Sequence, residues 1–265
     1  MNKLGNMLRD NIRQYIMVIA LVVVIVLFQI LTEGVLLLPL NVANLISQNA
    51  YILILAIGML LCILTGGNVD LSVGSVAGFV GAISAIMMLK WQIPVLPTII
   101  VSLLLGLLIG FWQGFWIAYV GVPAFIATLA SMLIFRGLTL VVLKGTSLAP
   151  LPGGYTFLAS GFIPDIANRG GLNLLALLLG LIASVFYIIR ELSIRKNKRK
   201  YGFEVSPLAF FIPKIIGILL IINAFSFTLA SYKGIPMVLV IVIALVLIYS
   251  FVTMKTIPGR HIYAF

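Results

Sequence analysis

Long apolar runs separated by short polar punctuation dominate the chain. Runs such as Ile16–Leu31 and Ile235–Val252 are apolar on every helical face, not along one stripe. A hydrocarbon core about 30 Å thick needs about 20 apolar residues per helical span. Inside lipid the backbone must satisfy its own hydrogen bonds, which leaves helices or a closed barrel. Barrel strands read as short alternating segments, and these runs do neither. The pattern predicts an all-α, polytopic transmembrane helical bundle of about eight spans. They fall near residues 13–31, 45–65, 71–89, 96–119, 124–143, 172–190, 208–230 and 235–253. The breaks between them are Thr32-Glu33-Gly34, Gly66-Gly67-Asn68, the stretch from Trp91 to Pro94, and Gly121-Val122-Pro123. Two longer connectors stand out, 144–171 and 190–206.

Composition supports this. Hydrophobic residues make up 63% of the 265 and charged residues only 9%, against about 25% charged in soluble domains. The formal net charge of +11 does not point to nucleic acid, because the basic residues sit at the ends of apolar spans, where they set orientation. Lys3, Arg9 and Arg13 place the N-terminus in the cytoplasm. Six spans later the chain returns there, at the basic connector that carries Arg190, Arg195, Lys196, Lys198, Arg199 and Lys200. Two spans further on it is cytoplasmic again, at Lys255 and Arg260. The loops left outside hold little beyond Lys90, Lys144, Arg169 and Lys233. Both termini are therefore expected to be cytoplasmic, with 190–206 a basic cytoplasmic loop and 144–171 an extracytoplasmic loop. The basic loop reads first as a solvated topogenic segment, with lipid or ATPase contact as the alternative. The first run is too long for a signal peptide and is followed by no small-residue cleavage site, so it is expected to be an uncleaved span.

Two glycine stripes read as helix-packing faces: Gly106, Gly110 and Gly114 in the fourth span, and Gly74, Gly78 and Ala82 in the third. The stretch from Thr65 to Ser75 is of another kind. It interrupts two apolar spans with glycines, Asn68, Asp70, Ser72 and Ser75. Asp70 and Ser72 can cap the helix that follows. Equally, polar irregular backbone near a membrane belongs where it is buried in protein or lines a wet cavity, and broken helices often build transport sites. Cap and pathway are compatible readings. Arg136 lies well inside the fifth span, where a charge is costly. It is expected to face the bundle interior or a water-filled cavity and to find a partner, Asp70 being the acid to consider. Cys62, the single cysteine, reads as a small buried hydrophobe. His261 has no companion ligand, so no metal site is expected. The sequence contains no phosphate-binding loop of the G-x-x-x-x-G-K-[ST] type and no nucleophile–base set, which argues against an enzyme.

These residues carry a resemblance. The run from Gly67 to Ser75 is similar to the "G-x-(I/V)-D-L-S-V-G-S" signature of the permease subunits of bacterial monosaccharide ABC importers, the ribose, xylose and multiple-sugar family. In the same order, Gly106 to Gly110 with Gln113-Gly114 resembles the family's glycine-striped span. The run from Val122 to Leu129, with Phe135-Arg136-Gly137, resembles its "P-x-F-I-x-T-L…x-R-G" element. Gly234-Ile235-Pro236 and the stretch from Gly259 to Ala264 resemble its "G-R-x-I-Y-A" element. The basic connector resembles the xylose branch most.

The resemblance implies a permease of the bacterial plasma (inner) membrane that forms the sugar pathway by alternating access. It implies cytoplasmic ABC ATPase subunits that bind the ATP, an extracytoplasmic sugar-binding protein and a second permease copy as partners, with no cofactor in this chain. Asn68, Asp70, Ser72, Ser75, Phe125, Thr128 and Arg136 are the expected pathway or gate residues. Gly259, Arg260 and Tyr263 are expected in a cytoplasmic loop near the ATPase. In the family, "G-R-x-I-Y-A" continues into a "G-G-N" and an "A-A-x-L-S-G-I" segment and further spans. The sequence here ends at Phe265, so it is expected to correspond to the N-terminal two thirds or so of such a permease. The alternative from another class is an ion-coupled secondary transporter or channel, for which Asp70 is the one acid near a span.

Overall fold

The structure is a computed structural model and describes residues 12–165, 171–203 and 208–264. Lys3, Arg9 and Arg169, used above for orientation, lie outside these residues. The described part is helical, with one isolated antiparallel bridge between Phe162 and Pro236. The helices are α1 (Ile12–Leu31), α2 (Pro39–Leu64), α3 (Val73–Leu89), α4 (Val95–Ala118) and α5 (Ala124–Leu143), then α6 (Gly153–Ser160), α7 (Leu174–Lys200), α8 (Leu208–Ala230), α9 (Met237–Lys255) and α10 (Ile257–Ala264). Six of them are long and apolar enough to cross a membrane, namely α2, α4, α5, α7, α8 and α9. The apolar parts of α1, Ile16–Leu31, and of α3, Val73–Leu89, are shorter.

Three expected boundaries differ. α2 begins six residues earlier than the expected 45, at Pro39, because proline at a first helical position costs no hydrogen bond and presets φ. Residues 190–200 are not loop but the last three turns of α7, since Arg, Lys and Glu are good helix formers and no Gly or Pro interrupts them. Residues 257–264, expected as loop, form α10. It folds back closely on α9, so that a Cβ on Gly259 would collide with the carbonyls of Val252 and Thr253.

The chain forms two compact units. The first comprises residues up to Ile46 together with Ile163–Ile235, and its centre is the α7–α8 hairpin. The two helices run antiparallel and in register. Gly180 sits against Ser226, so closely that a Cβ on the glycine would clash with the Ser226 hydroxyl. One turn along, the amide of Asn223 donates to Ser184 Oγ at 3.0 Å, and towards the charged end Lys214 meets Glu191 at 2.6 Å. Ser226 Oγ donates to the Ala176 carbonyl at 2.6 Å. At the other end Asn173 caps α7, its Oδ1 accepting from Ala176 N at 2.9 Å. Close approach through small residues, fastened by hydroxyls, is how helices associate where lipid removes the hydrophobic drive.

The second unit comprises Ser47–Phe162 and Pro236–Phe265. Here α3 packs against α4 and α5. Ser84 and Ser102 share a 2.6 Å hydrogen bond between α3 and α4. Phe135 of α5 meets Phe79 with the rings tilted at 45° and centroids 5.4 Å apart, and meets Trp112 edge-on at 6.5 Å. Ala50 and Ile54 of α2 pack on Val238 and Val242 of α9.

Candidate functional site

Within the second unit, α2 ends because Gly66 and Gly67 both adopt left-handed backbone, with φ of +77°, a conformation that glycine takes without steric cost. Thr65 Oγ1 covers the helix end by donating to the Cys62 carbonyl at 2.9 Å. Asn68 Nδ2 donates back to the Thr65 carbonyl at 2.7 Å. Two residues on, Asp70 Oδ1 accepts from both the backbone N–H (2.8 Å) and the hydroxyl (2.7 Å) of Ser72. This Asx-type turn launches α3.

The expected cap is thus realised by half. Asp70 holds the turn, whereas the Ser72 hydroxyl makes no bond to the first N–H groups of α3, because it is spent on Asp70 and on α4. Gln113 Nε2 donates to Ser72 Oγ at 2.6 Å. Ser72 is fully buried and Gln113 nearly so. From α5, Thr128 Oγ1 donates to the Ala124 carbonyl at 2.8 Å and reaches the Val69 carbonyl at 3.3 Å. The loop is therefore held on two sides by polar groups of neighbouring helices.

A cavity of about 700 Å³ opens beside this loop, within the roughly 300–1,000 Å³ of small-molecule sites. Its polar wall is Thr65, Asn68, Asp70, Gln113 and Thr128, set in an otherwise apolar surround that includes Cys62. Gly110 and Gly114 of α4 also line it, flanking Gln113 in sequence. A Cβ on either glycine would meet no heavy atom within 4 Å. Among the described residues that face of α4 borders the cavity and meets no other helix within 4 Å. A Cβ on Gly74, Gly78 or Gly106 would likewise meet no atom of another element within 4 Å among the described residues.

Of the residues expected to act together, Asn68, Asp70 and Thr128 line the cavity and Ser72 is anchored behind it. Ser75, Phe125 and Arg136 are not in its wall. Phe125 and Arg136 are exposed. The buried face of α5 is Thr128, Ser131 and Phe135, and Arg136 falls about 100° round the helix from it. No hydrogen bond or ion pair joins it to Asp70 among the described residues. Gly259 is buried at the start of α10, and Arg260 and Tyr263 are exposed on that helix. Gln113, which holds the site together, carries a readable signal: an amide alone among glycines and aromatics in the middle of an apolar span. The α7 stripe Ala176, Gly180 and Ser184 was equally readable as small-xxx-small. No group of three or more His, Cys, Asp or Glu side chains that could hold a metal occurs among the described residues.

Comparison with known proteins finds transport permeases. A family model described as "Branched-chain amino acid transport system / permease component" matches residues 41–265. The xylose transport system permease protein XylH of Haemophilus influenzae is 35% identical over 254 residues, which cover 96% of this chain and 65% of that protein. XylH of Escherichia coli K12 is 34% identical over 256 residues, 96% and 62% of the two chains. The ribose import permease protein RbsC of Bacillus subtilis is 47% identical over 119 residues, 45% of this chain and 36% of that protein. The chain therefore spans a little under two thirds of the length of the xylose permeases it matches. No solved structure matches it.

Proposed function

Because the chain belongs to the family of branched-chain amino acid transport system permease components, a family of multi-pass inner-membrane proteins, we propose that it is the pathway-forming permease subunit of an ATP-driven monosaccharide importer. The observation that carries this reading is the 35% identity to a xylose permease across 96% of the chain. The substrate class is a pentose or a similar monosaccharide, passed on unmodified. ATP is hydrolysed by separate cytoplasmic ABC ATPase subunits, and an extracytoplasmic binding protein delivers the sugar. A second copy of the permease completes the pathway. Arg136, exposed in an apolar helix, and the open faces of Gly74 and Gly78 supply surface for it.

In this topology α1 and α3 span with the six longer helices, both termini are cytoplasmic, 144–171 lies outside and 190–206 inside. The cavity beside Asp70 is a polar station on the sugar's route. Its side chains match a polyol: Asp70 accepts from hydroxyls, Asn68 and Thr128 bring further polar groups, and the apolar surround receives the C–H faces. The test is uptake of labelled xylose and ribose in a strain that lacks its own pentose permeases and carries this gene in its natural context. Uptake restored with the chain and lost without it supports the reading; pentose-blind cells contradict it. A second reading, ion-coupled transport, draws on one observation, the carboxylate of Asp70 in the cavity wall.

A further inference from the structure

The charged end of the α7–α8 hairpin contains a cation held over an aromatic ring, with no acceptor for one of its nitrogens among the described residues. Arg195 is half-buried, its guanidinium lying 4.2 Å over the ring of Phe211, and Phe211 is itself buried. Held over a buried ring, the guanidinium is restrained in place, which limits the directions in which its N–H fork can point. Nη1 is buried and has no hydrogen-bond partner among the described residues. A buried charged donor without an acceptor is costly and rare in folded proteins. The ordinary acceptor would be Glu191, one turn earlier on the same helix. Its Oε1 is engaged by Lys214 of α8 at 2.6 Å.

The surroundings point to what supplies the missing acceptor. Between residues 190 and 214 the sequence has seven basic residues and two acids, Glu191 and Glu204. Arg190, Lys196, Lys198, Arg199 and Lys200 are exposed on the last turns of α7. These turns continue without a break from the apolar part of the helix, so at about 1.5 Å per residue Arg195 lies within two turns of the last apolar run. That is the depth of lipid phosphates. Basic clusters that leave a span in this way attract anionic head groups, and a guanidinium fork fits phosphate oxygens.

We propose that Arg195 and the basic turns around it form a binding site for the phosphodiester head group of an anionic membrane lipid. Arg195 is the restrained fork, and the exposed lysines and arginines add attraction without geometry. The proposal requires only that the chain is a membrane protein and stands apart from the sugar-transport reading.

The test uses the full chain in lipid nanodiscs or detergent, with retained phosphatidylglycerol and phosphatidylcholine counted by native mass spectrometry. Wild type retains phosphatidylglycerol in preference. Arg195→Gln loses about fivefold of that retention, while Arg190→Gln, which removes the same charge from an exposed position, loses less than about twofold. Should Arg195→Gln fail to fold, Phe211→Leu, which takes away the stacking ring, lowers retention in its place. Equal losses in the two arginine variants overturn the site, because only net charge would matter. Unchanged retention in Arg195→Gln also overturns it, because the fork would then hold no head group. Displacement of the lipid by excess inorganic phosphate, with no preference over phosphatidylcholine, overturns the lipid assignment.

Discussion

The side-chain amide of Gln113 donates to the hydroxyl of Ser72 at 2.6 Å, across 41 residues of sequence. This bond ties the middle of an apolar helix to the first residue before α3. Asp70 holds the same hydroxyl from the other side at 2.7 Å, so the polar loop has little freedom to leave the cavity wall. Gln113→Leu removes the tie while preserving approximate volume. Hydrogen bonds between membrane helices contribute about 0.6 kcal/mol on average and up to about 1.7, so Gln113→Leu lowers the melting temperature by only a few degrees. The sharper effect is local: maleimide reacts faster with an Asn68→Cys probe in the Gln113→Leu background. Equal labelling rates in both backgrounds would show that the bond does not hold the loop.

Asp70 does two things at once, and two substitutions separate them. Asp70→Asn keeps an oxygen able to accept from Ser72 N and Oγ but abolishes the charge. Asp70→Ala abolishes both. The expected outcome is near-normal membrane levels with impaired uptake for Asp70→Asn, and loss of both for Asp70→Ala, which leaves the Ser72 N–H without its acceptor at a cost of about 1–3 kcal/mol. Immunoblotting of membranes and uptake in the same cells check it. Wild-type levels and uptake in Asp70→Ala would remove Asp70 from the account.

The two kinds of glycine face make opposite predictions. At Gly110 and Gly114 an added side chain meets open cavity. Gly114→Leu therefore leaves expression and thermal stability within about 0.5 kcal/mol of wild type and blocks passage of the sugar. A destabilised Gly114→Leu protein would mean that the face is filled in the assembled protein.

In the hairpin the reverse holds. Gly180 lies against Ser226 and Gly234 against the capping Asn173; Gly234 also has φ of +89°. Gly180→Ala forces the helices apart and costs about 1–3 kcal/mol, and Gly234→Ala adds left-handed strain of about the same size. Both variants are expected to aggregate at lower temperature in detergent than wild type. The Ser226→Gly partner of Gly180→Ala restores part of the loss, which a non-specific effect would not allow.

The broken helix from Thr65 to Ser75 could be read in advance because Gly-Gly followed by Asn and Asp leaves few backbone choices. That same chemistry placed Asn68 and Asp70 in the cavity wall. What hydropathy could not give was azimuth. Helices apolar all round do not say which face is inside: Arg136, expected to face the bundle interior or a water-filled cavity, is exposed beside the buried stripe of α5, and Gln113 reads in sequence as part of a glycine motif. The glycine stripes pose the same problem, since small residues serve a close helix at Gly180 and an open cavity at Gly114. Local charge misled at 190–200, where a basic run signalled a loop although its helix propensity was high.

The most direct test of the proposed transport role is labelled xylose uptake into vesicles that contain the chain in its natural context with its ATPase and binding-protein partners. Uptake is measured with and without ATP, and with the proton and sodium gradients collapsed. The account predicts uptake that requires hydrolysable ATP and survives collapse of both gradients. Uptake that persists without ATP and disappears with an ion gradient would contradict it and would make Asp70 the coupling group of a secondary transporter.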